Sequence, residues 1–369
     1  MARAMVARGY DVRVVVPPYD DPANYGRCWV DDGVDVEILG RPVVAGIPLV
    51  GTALTQLALA RGAVEAIDRW QPDVVHVFKP KAVSGLVQAL LARRRDRPAI
   101  VLDTDDWEGK AGWSRNEAYS WWQKELFERQ EQWGLRGCDA RTAASAELAR
   151  RSGAEPVVRI VNGYDAQTYA PWRTIKSEGP PCSTQHALVY TRFYDYPVEG
   201  WVQLVLGVLK AIPDLRLSMV GSGPLTPIER IQREVAVHGV SDRLSVYGWT
   251  AFDDLPERFA GSDIALMPMA DSLANRSKCS VRYVDLMVAG VPIVASPVGE
   301  ASTYVRDRVT GYLADDSSVE ALVAAVSKGL SDPVRGDVAE RACSYAKREL
   351  SWKRLTEPLD GLYAAVRMV

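Results

Sequence analysis

Short, nearly unbroken apolar runs, separated by stretches with helical periodicity, are what most limits the fold of this 369-residue chain. In the first half they read VRVVVP from Val12, VDVEIL from Val34, VVHVF from Val74, AIVLD from Ala99 and VVRIV from Val157. In the second half they read ALVYT from Ala187, LRLSMV from Leu215, LSVYG from Leu244, IALMP from Ile264 and PIVAS from Pro292. A strand that is apolar on both faces must be covered on both, as parallel strands are by their crossover helices. The rhythm predicts an α/β chain of two doubly wound Rossmann-like sheets facing a cleft, with ligands beyond the carboxyl ends of the strands. Periodicity breaks between Asp165 and Gln185, where APW and EGPPCSTQ intervene. The expected division is an N-terminal domain 1–165, a linker 166–186, a C-terminal domain 187–350, and a last helix 351–369 crossing back to the first domain.

A chain of this length can bury a core in each of two domains. Its 47% hydrophobic and 25% charged residues are those of a soluble globular protein, and a net charge of −3 argues against nucleic acid as a partner. Cys28, Cys138, Cys182, Cys279 and Cys343 make no C-x-x-C pair, and His76, His186 and His238 add no zinc-site spacing, so no metal ligands are expected. Reduced thiols in a cytoplasm are the simplest reading. No stretch approaches a transmembrane span, and the residues after Met1 do not read as a signal peptide.

The densest chemistry lies between Ser262 and Leu313. There the strand IALMP, a polar loop NRSKCS, a helix SVRYVDLMVA stopped at Gly290, and the strand PIVAS follow one another. Ser280 is the expected N-cap. A helix start gathers unpaired N–H groups and partial positive charge, and Lys278 stands just ahead of it. Asp285 lies about 7 Å further along the axis at ~1.5 Å per residue. A diphosphate at the helix end with a ribose beside Asp285 suits that spacing.

The runs DLMVAGVPIVASPVGE and VRDRVTGYL resemble the retaining nucleotide-sugar glycosyltransferases of family 4 (group 1), which have the GT-B fold. In that family two acids stand with seven residues between them. Asp285 falls on the second, a ribose ligand, and Ser277 on the first, so that carboxylate is absent. NRSKCS, with Asn275, Ser277, Lys278 and Ser280, is similar to an N-x-x-K-x-S loop found in some members. YTRF resembles YVGRL, which implies that Arg192 lies beside the diphosphate, where an arginine fork suits phosphate oxygens. The family's partner lysine corresponds to Glu199, leaving Lys278 to supply the missing charge. VGSGP resembles V-G-x-G-P and puts Gly221 and Gly223 on the nucleotide side. YGWT places Trp249 near the base, with core filler as the plain alternative.

In LDTDDWEG many members carry a histidine where Asp105 stands. Asp105 or Asp106 would orient an acceptor hydroxyl or take its proton. A rival reading makes Asp103-Thr104-Asp105 a metal-binding D-x-D of another fold, which leaves the second half of the chain without a purpose. A turn role is the bland alternative. His76 reads as a satisfied core histidine, Lys79 and Lys81 as solvated, and VNGYD from Val161 as a structural turn. Trp122, Leu126 and Trp133 share one helical face and read as core. ARRRDR from Ala92 reads as a solvated loop, with anionic lipid headgroups as the other partner.

One departure stands out. MARAMVARGYDVRVVV reads as helix, glycine cap, strand, whereas the family has a strand and glycine-rich turn before that helix. The N-terminal sheet is therefore expected to lack its first, central strand, leaving two edges unpaired. A start site placed too far downstream is the favoured explanation, and a natural rearrangement the other.

The resemblance implies metal-independent, cofactor-free transfer of a hexose from a nucleotide-diphosphate-sugar to a glycan, lipid-linked or small-molecule hydroxyl. It implies a cytoplasmic monomer or homodimer, with peripheral contact to the inner membrane face within its range. An epimerase on the same fold and a non-catalytic donor-binding protein are the alternatives.

Overall fold

The computed structural model describes residues 1–18, 24–40, 48–110, 112–115, 119–151, 156–172 and 184–367. It divides into two compact units: Met1–Val161 with Trp352–Val369, and Asn162–Ser351. Most of the expected linker, residues 173–183, lies outside the described residues, and Cys182 with it.

The first unit carries β1 (Arg13–Val16), β2 (Cys28–Asp31), β3 (Val34–Ile38), β4 (Val74–Phe78), β5 (Ala99–Thr104), β6 (Ala140–Ala143) and β7 (Val157–Arg159). These form two sheets, β1-β3-β2 and β4-β5-β6-β7. All pairs are parallel except the β2–β3 hairpin. Its turn puts Asp32 at φ 48 and Gly33 at φ 81, the left-handed pair that a two-residue hairpin demands. Among the described residues β1 and β4 each end a sheet, so no strand stands between them and the unit has two sheets in place of one.

Alternation along β5 shows how both faces are covered. Ile100 and Leu102 pack with Leu59, Val64, Val83 and Leu91 of the helices Pro48–Trp70 and Ala82–Leu91. Val101, pointing the other way, packs with Met5, Leu359, Leu362 and Val366, the last three from the helix Glu357–Arg367. Asp360 of that helix accepts from Arg8 and, at 3.0 Å, from the Tyr10 hydroxyl.

The second unit has one wholly parallel sheet of β8 (His186–Tyr190), β9 (Arg216–Val220), β10 (Leu244–Gly248), β11 (Ile264–Met267), β12 (Ile293–Ala295) and β13 (Tyr312–Leu313). The order is β10-β9-β8-β11-β12-β13. It runs outward in both directions from the β8–β11 pair, which makes their carboxyl ends a topological switch point. Trp201, Leu204 and Val208 of the helix Val198–Ala211 join Leu322 and Val326 of Val319–Ser331 over one face. Every apolar run read from the sequence is a strand in one of these sheets.

Candidate functional site

The switch point is where charge collects. Beyond β8 the backbone bends sharply at Phe193, whose φ of 62 is unusual for a bulky residue. The bend is held by a hydrogen bond from Phe193 N–H to Thr191 Oγ1 at 3.0 Å and by packing of the Phe193 ring on Trp201. It delivers Asp195, whose carboxylate is only 4% exposed. Beyond β11, Lys278 Nζ donates to Asp195 Oδ1, and Arg282 Nη2, at the start of the helix Arg282–Val288, donates to Oδ2. Two more Arg282 donors go to the Tyr190 carbonyl (3.0 Å) and Ser280 Oγ (3.0 Å). Burial works against the Asp195 charge, but Arg282 and Lys278 outweigh it and hold the carboxyl down at about 2.

Asn275 belongs to the frame of this cluster: its Nδ2 donates to the Asp195 carbonyl at 2.7 Å and to that of Ala270 at 2.8 Å. Ser277 is fully buried, and its Oγ has no hydrogen-bond partner among the described residues. Ser280 does not cap the helix. The N-cap is Val281, because the Ser280 hydroxyl is turned to Arg282.

Asp285 is 2% exposed and accepts from the Tyr169 hydroxyl at 2.6 Å, with Tyr190 a second donor. Burial pushes its pKa up to about 6 against those hydrogen bonds and the Arg282 charge. A pentose hydroxyl would have to displace a tyrosine to reach it, because the carboxylate is already enclosed. Tyr169 stacks edge-on with Trp172, which leans on Phe252, so Asp285 anchors this segment to the sheet.

Around this cluster, loop backbones touch. A Cβ on Gly221 would run into the Thr191 carbonyl, and one on Gly223 into the Arg192 carbonyl, both well inside contact distance. Gly221 N–H donates to the Gly248 carbonyl at 2.7 Å, linking the VGSGP turn to YGWT. Arg192 lies exposed over the Tyr194 ring, 5.7 Å from its centroid. Glu199 pairs with Arg230 at 2.9 Å. Trp249 is 75% exposed, which removes the core-filler alternative.

In the first unit the carboxyl ends of β4 and β5 gather a second cluster. Lys79, at φ 59, sets Nζ 3.1 Å from Asp105 and 3.5 Å from Asp106 and Glu108, while Lys81 pairs with Glu108 at 2.7 Å. Desolvation opposes the Lys79 charge, yet the three carboxylates raise its pKa well above the usual range. Carboxylate oxygens of Asp105, Asp106 and Glu108 lie within 4.8 Å of one another, with the Lys79 ammonium among them. Asp103, the other half of the D-x-D reading, is not one of the three and accepts instead from Thr142 Oγ1. His76 is satisfied by Thr142 Oγ1 (3.0 Å) and the Tyr363 hydroxyl (2.7 Å), and burial depresses it to about 3. Lys79 and Lys81 are paired, not solvated.

The helix Trp121–Arg136 overturns a second expectation. Trp122, Leu126 and Trp133 are 39%, 40% and 52% exposed. Its buried face is Phe127, Gln130, Glu131 and Gly134. Gln130 accepts from Ala82 N–H at 3.0 Å, and Glu131 accepts from Glu108 and Gly109 N–H at 3.2 and 2.7 Å. Glu131 thereby holds the acidic loop in place. VNGYD is structural: Asn162 N–H meets Cys279 Sγ at 3.1 Å, and Asp165 accepts from Thr168.

Sequence models settle what this arrangement descends from. Residues 1–163 match the glycosyl transferase 4-like domain, and residues 188–332 match glycosyl transferases group 1. The chain belongs to the group 1 glycosyltransferases. It is similar to the GDP-mannose-dependent alpha-(1-6)-phosphatidylinositol monomannoside mannosyltransferase of Mycolicibacterium smegmatis, 31% identical over 41% of each chain. It is also similar to the lipopolysaccharide 1,2-N-acetylglucosaminetransferase of Salmonella typhimurium, 31% identical over 57% of each. These matches span less than two thirds of the relatives' own length. Sucrose-phosphate synthase from Thermosynechococcus elongatus shares the GT-B fold with a TM-score of 0.72 at 18% identity, over 99% of this chain and 91% of that one. Group 1 motifs led to Lys278 and Asp285, but Asp195 and Arg282 were missed, although both are charged residues beside positions already singled out.

Gly223→Ala should destabilise the second unit by roughly 1–3 kcal/mol, the usual penalty of overpacking, in chemical denaturation. A pH effect follows from Glu131, which is 1% exposed and raised by burial, against its two backbone hydrogen bonds, from 4.5 to about 8. Between those values the folded state holds a proton that the unfolded chain has released, so stability is full below pH 4.5 and declines as pH rises toward 8. Glu131→Gln should flatten that decline in thermal melts by at least about 2 °C, the shift ~1 kcal/mol gives in a domain of this size.

Proposed function

We propose that this chain transfers a hexosyl group from a nucleoside-diphosphate sugar to an acceptor hydroxyl, with retention at the anomeric carbon. The observation that carries the proposal is the convergence of Lys278 and Arg282 at the switch point of the second sheet. As the sugar–phosphate bond breaks, negative charge grows on the departing diphosphate, and cations fixed in advance stabilise it without reorganising. Arg282, with donors aimed by Tyr190, Ser280 and Asp195, takes up the charge lost at Glu199. Exposed Trp249 and the Gly221–Gly223 turn offer the base and its ribose a surface. Asp105 and Asp106 are the groups offered to the acceptor: ionised carboxylates only accept hydrogen bonds, which suits orienting a hydroxyl and taking its proton. Retention is what kinship with family 4 supports, and the hexose follows the sugars named in its relatives.

A lipid-bearing acceptor is favoured by the exposed stripe of Trp122, Leu126 and Trp133. The helix Ala82–Leu91 packs beside it and leads into Arg93, Arg94 and Arg95, and Gly137 at the end of the stripe's helix lies against Ala92. Arg94 is neutralised by Asp68, whereas Arg93, in the turn after the helix, donates to the Ala89 carbonyl of that helix. Aromatic rings beside such cations suit an interface with anionic lipid. No helix among the described residues is long and apolar enough to cross a membrane.

The enzyme should release nucleoside diphosphate from one of UDP-, GDP- or ADP-hexose faster when acceptor is added, and Lys278→Ala should lower transfer on the order of 10²-fold. Turnover of donor to an isomer without acceptor would favour the epimerase, and binding without turnover the non-catalytic protein. Flotation with phosphatidylserine vesicles should carry the wild type upward, and Trp122→Ser with Trp133→Ser should abolish it; equal flotation of both proteins would remove the lipid contact.

A further inference from the structure

We infer that Asp195 is a positioning residue that fixes Lys278 and Arg282 as a paired cationic seat for the donor's diphosphate, an inference that rests on the donor reading above. Its carboxylate is 4% exposed, while Lys278 and Arg282 keep 11% and 14%, so the anion is the most deeply set of the three. Each oxygen serves a different cation. Two cations on one anion leave a net positive charge, and the cations hold the more accessible edge.

The rest of the residue is fixed just as firmly. The Asp195 carbonyl accepts from Ala270 N–H at 2.9 Å and from Asn275 Nδ2 at 2.7 Å, so the loops beyond β8 and β11 are tied through one peptide. The strained bend at Phe193 places that peptide. Without the carboxylate, two closely spaced like charges would lose the anion between them and repel one another more strongly. An asparagine can accept from one cation, but it must turn its NH₂ group toward the other. The pull of the carboxylate on a bound phosphate is the opposing effect, since its removal also makes the seat more positive. Positioning outweighs it here because the two cations converge on one carboxylate, each on its own oxygen, and a group misplaced by 1 Å loses far more than one weakened by screening.

The test compares binding of UDP, GDP and ADP with that of uridine, guanosine and adenosine, by calorimetry, in wild type and Asp195→Asn. The variant should bind the preferred nucleoside diphosphate at least about tenfold more weakly and the matching nucleoside equally well. Equal or tighter diphosphate binding would overturn the inference, as would parallel loss of diphosphate and nucleoside, which marks a general structural role. If wild type binds no nucleoside diphosphate, the donor reading itself fails. Should Asp195→Asn not fold, Arg282→Lys keeps the charge and removes the fork that Asp195 aims; it should weaken diphosphate binding selectively, and an unchanged affinity would overturn the inference.

Discussion

A carboxylate with 4% exposure cannot sit alone inside a folded unit, because burying an unpaired charge costs several kcal/mol. At Asp195 that constraint organises the second unit. The loop beyond β8 must bring the acid in, the loop beyond β11 must bring Lys278, and the next helix must begin with Arg282 facing back. Arg282 then reaches Tyr190 at the end of β8, and Asp285, one turn further along the helix, holds Tyr169 and Tyr190 by their hydroxyls. Removing one partner of such a buried cluster typically costs about 3–5 kcal/mol, since the others are left uncompensated. The charge network and the strand order are thus one arrangement: the switch point leaves the opening, and the ion pairs fill it.

The fold was legible wherever burial was apolar on both strand faces. β4, β5, β8, β9 and β11 announce themselves because parallel strands under two layers of helix have no polar side to interrupt the run. β2 escaped because CWVD is exposed at the end of its sheet, yet the Asp32-Gly33 turn is a hairpin signal that could have found it. β6 escaped for the opposite reason: ARTA is wholly buried but polar, with Arg141 inside the unit and Thr142 serving His76 and Asp103. β13 is two residues long, too short for any period to show.

The site was legible by residue type and obscured by partnership. A lysine before a helix and an acid within it are visible in a string, but that Lys278 answers to Asp195, 83 positions away, is not. The helix Trp121–Arg136 misleads for a related reason. Periodicity assigns the apolar face inward, but here Gln130, Glu131 and Gly134 pack inward because Gln130 finds a donor in Ala82 N–H, Glu131 finds donors in the backbone of the acidic loop, and Gly134 lies close against Pro80. Polar packing follows partners that no window of sequence contains.

The two units use the same backbone device for opposite charges. Phe193 and Lys79 each take a left-handed conformation within three residues of the end of a parallel strand, at φ 62 and 59, and neither is glycine. Strain of that kind, of order 1–3 kcal/mol, persists only where the surroundings over-determine it. Beyond Phe193 the cluster has one anion to two cations; beyond Lys79 it has Asp105, Asp106 and Glu108 against Lys79 and Lys81. Without a counter-charge, the carboxylates of the acidic loop would repel one another and move apart. Lys79 keeps them close, as Asp195 keeps two cations close, and in each unit the counter-charge is what makes a dense cluster of like charges compatible with a folded chain.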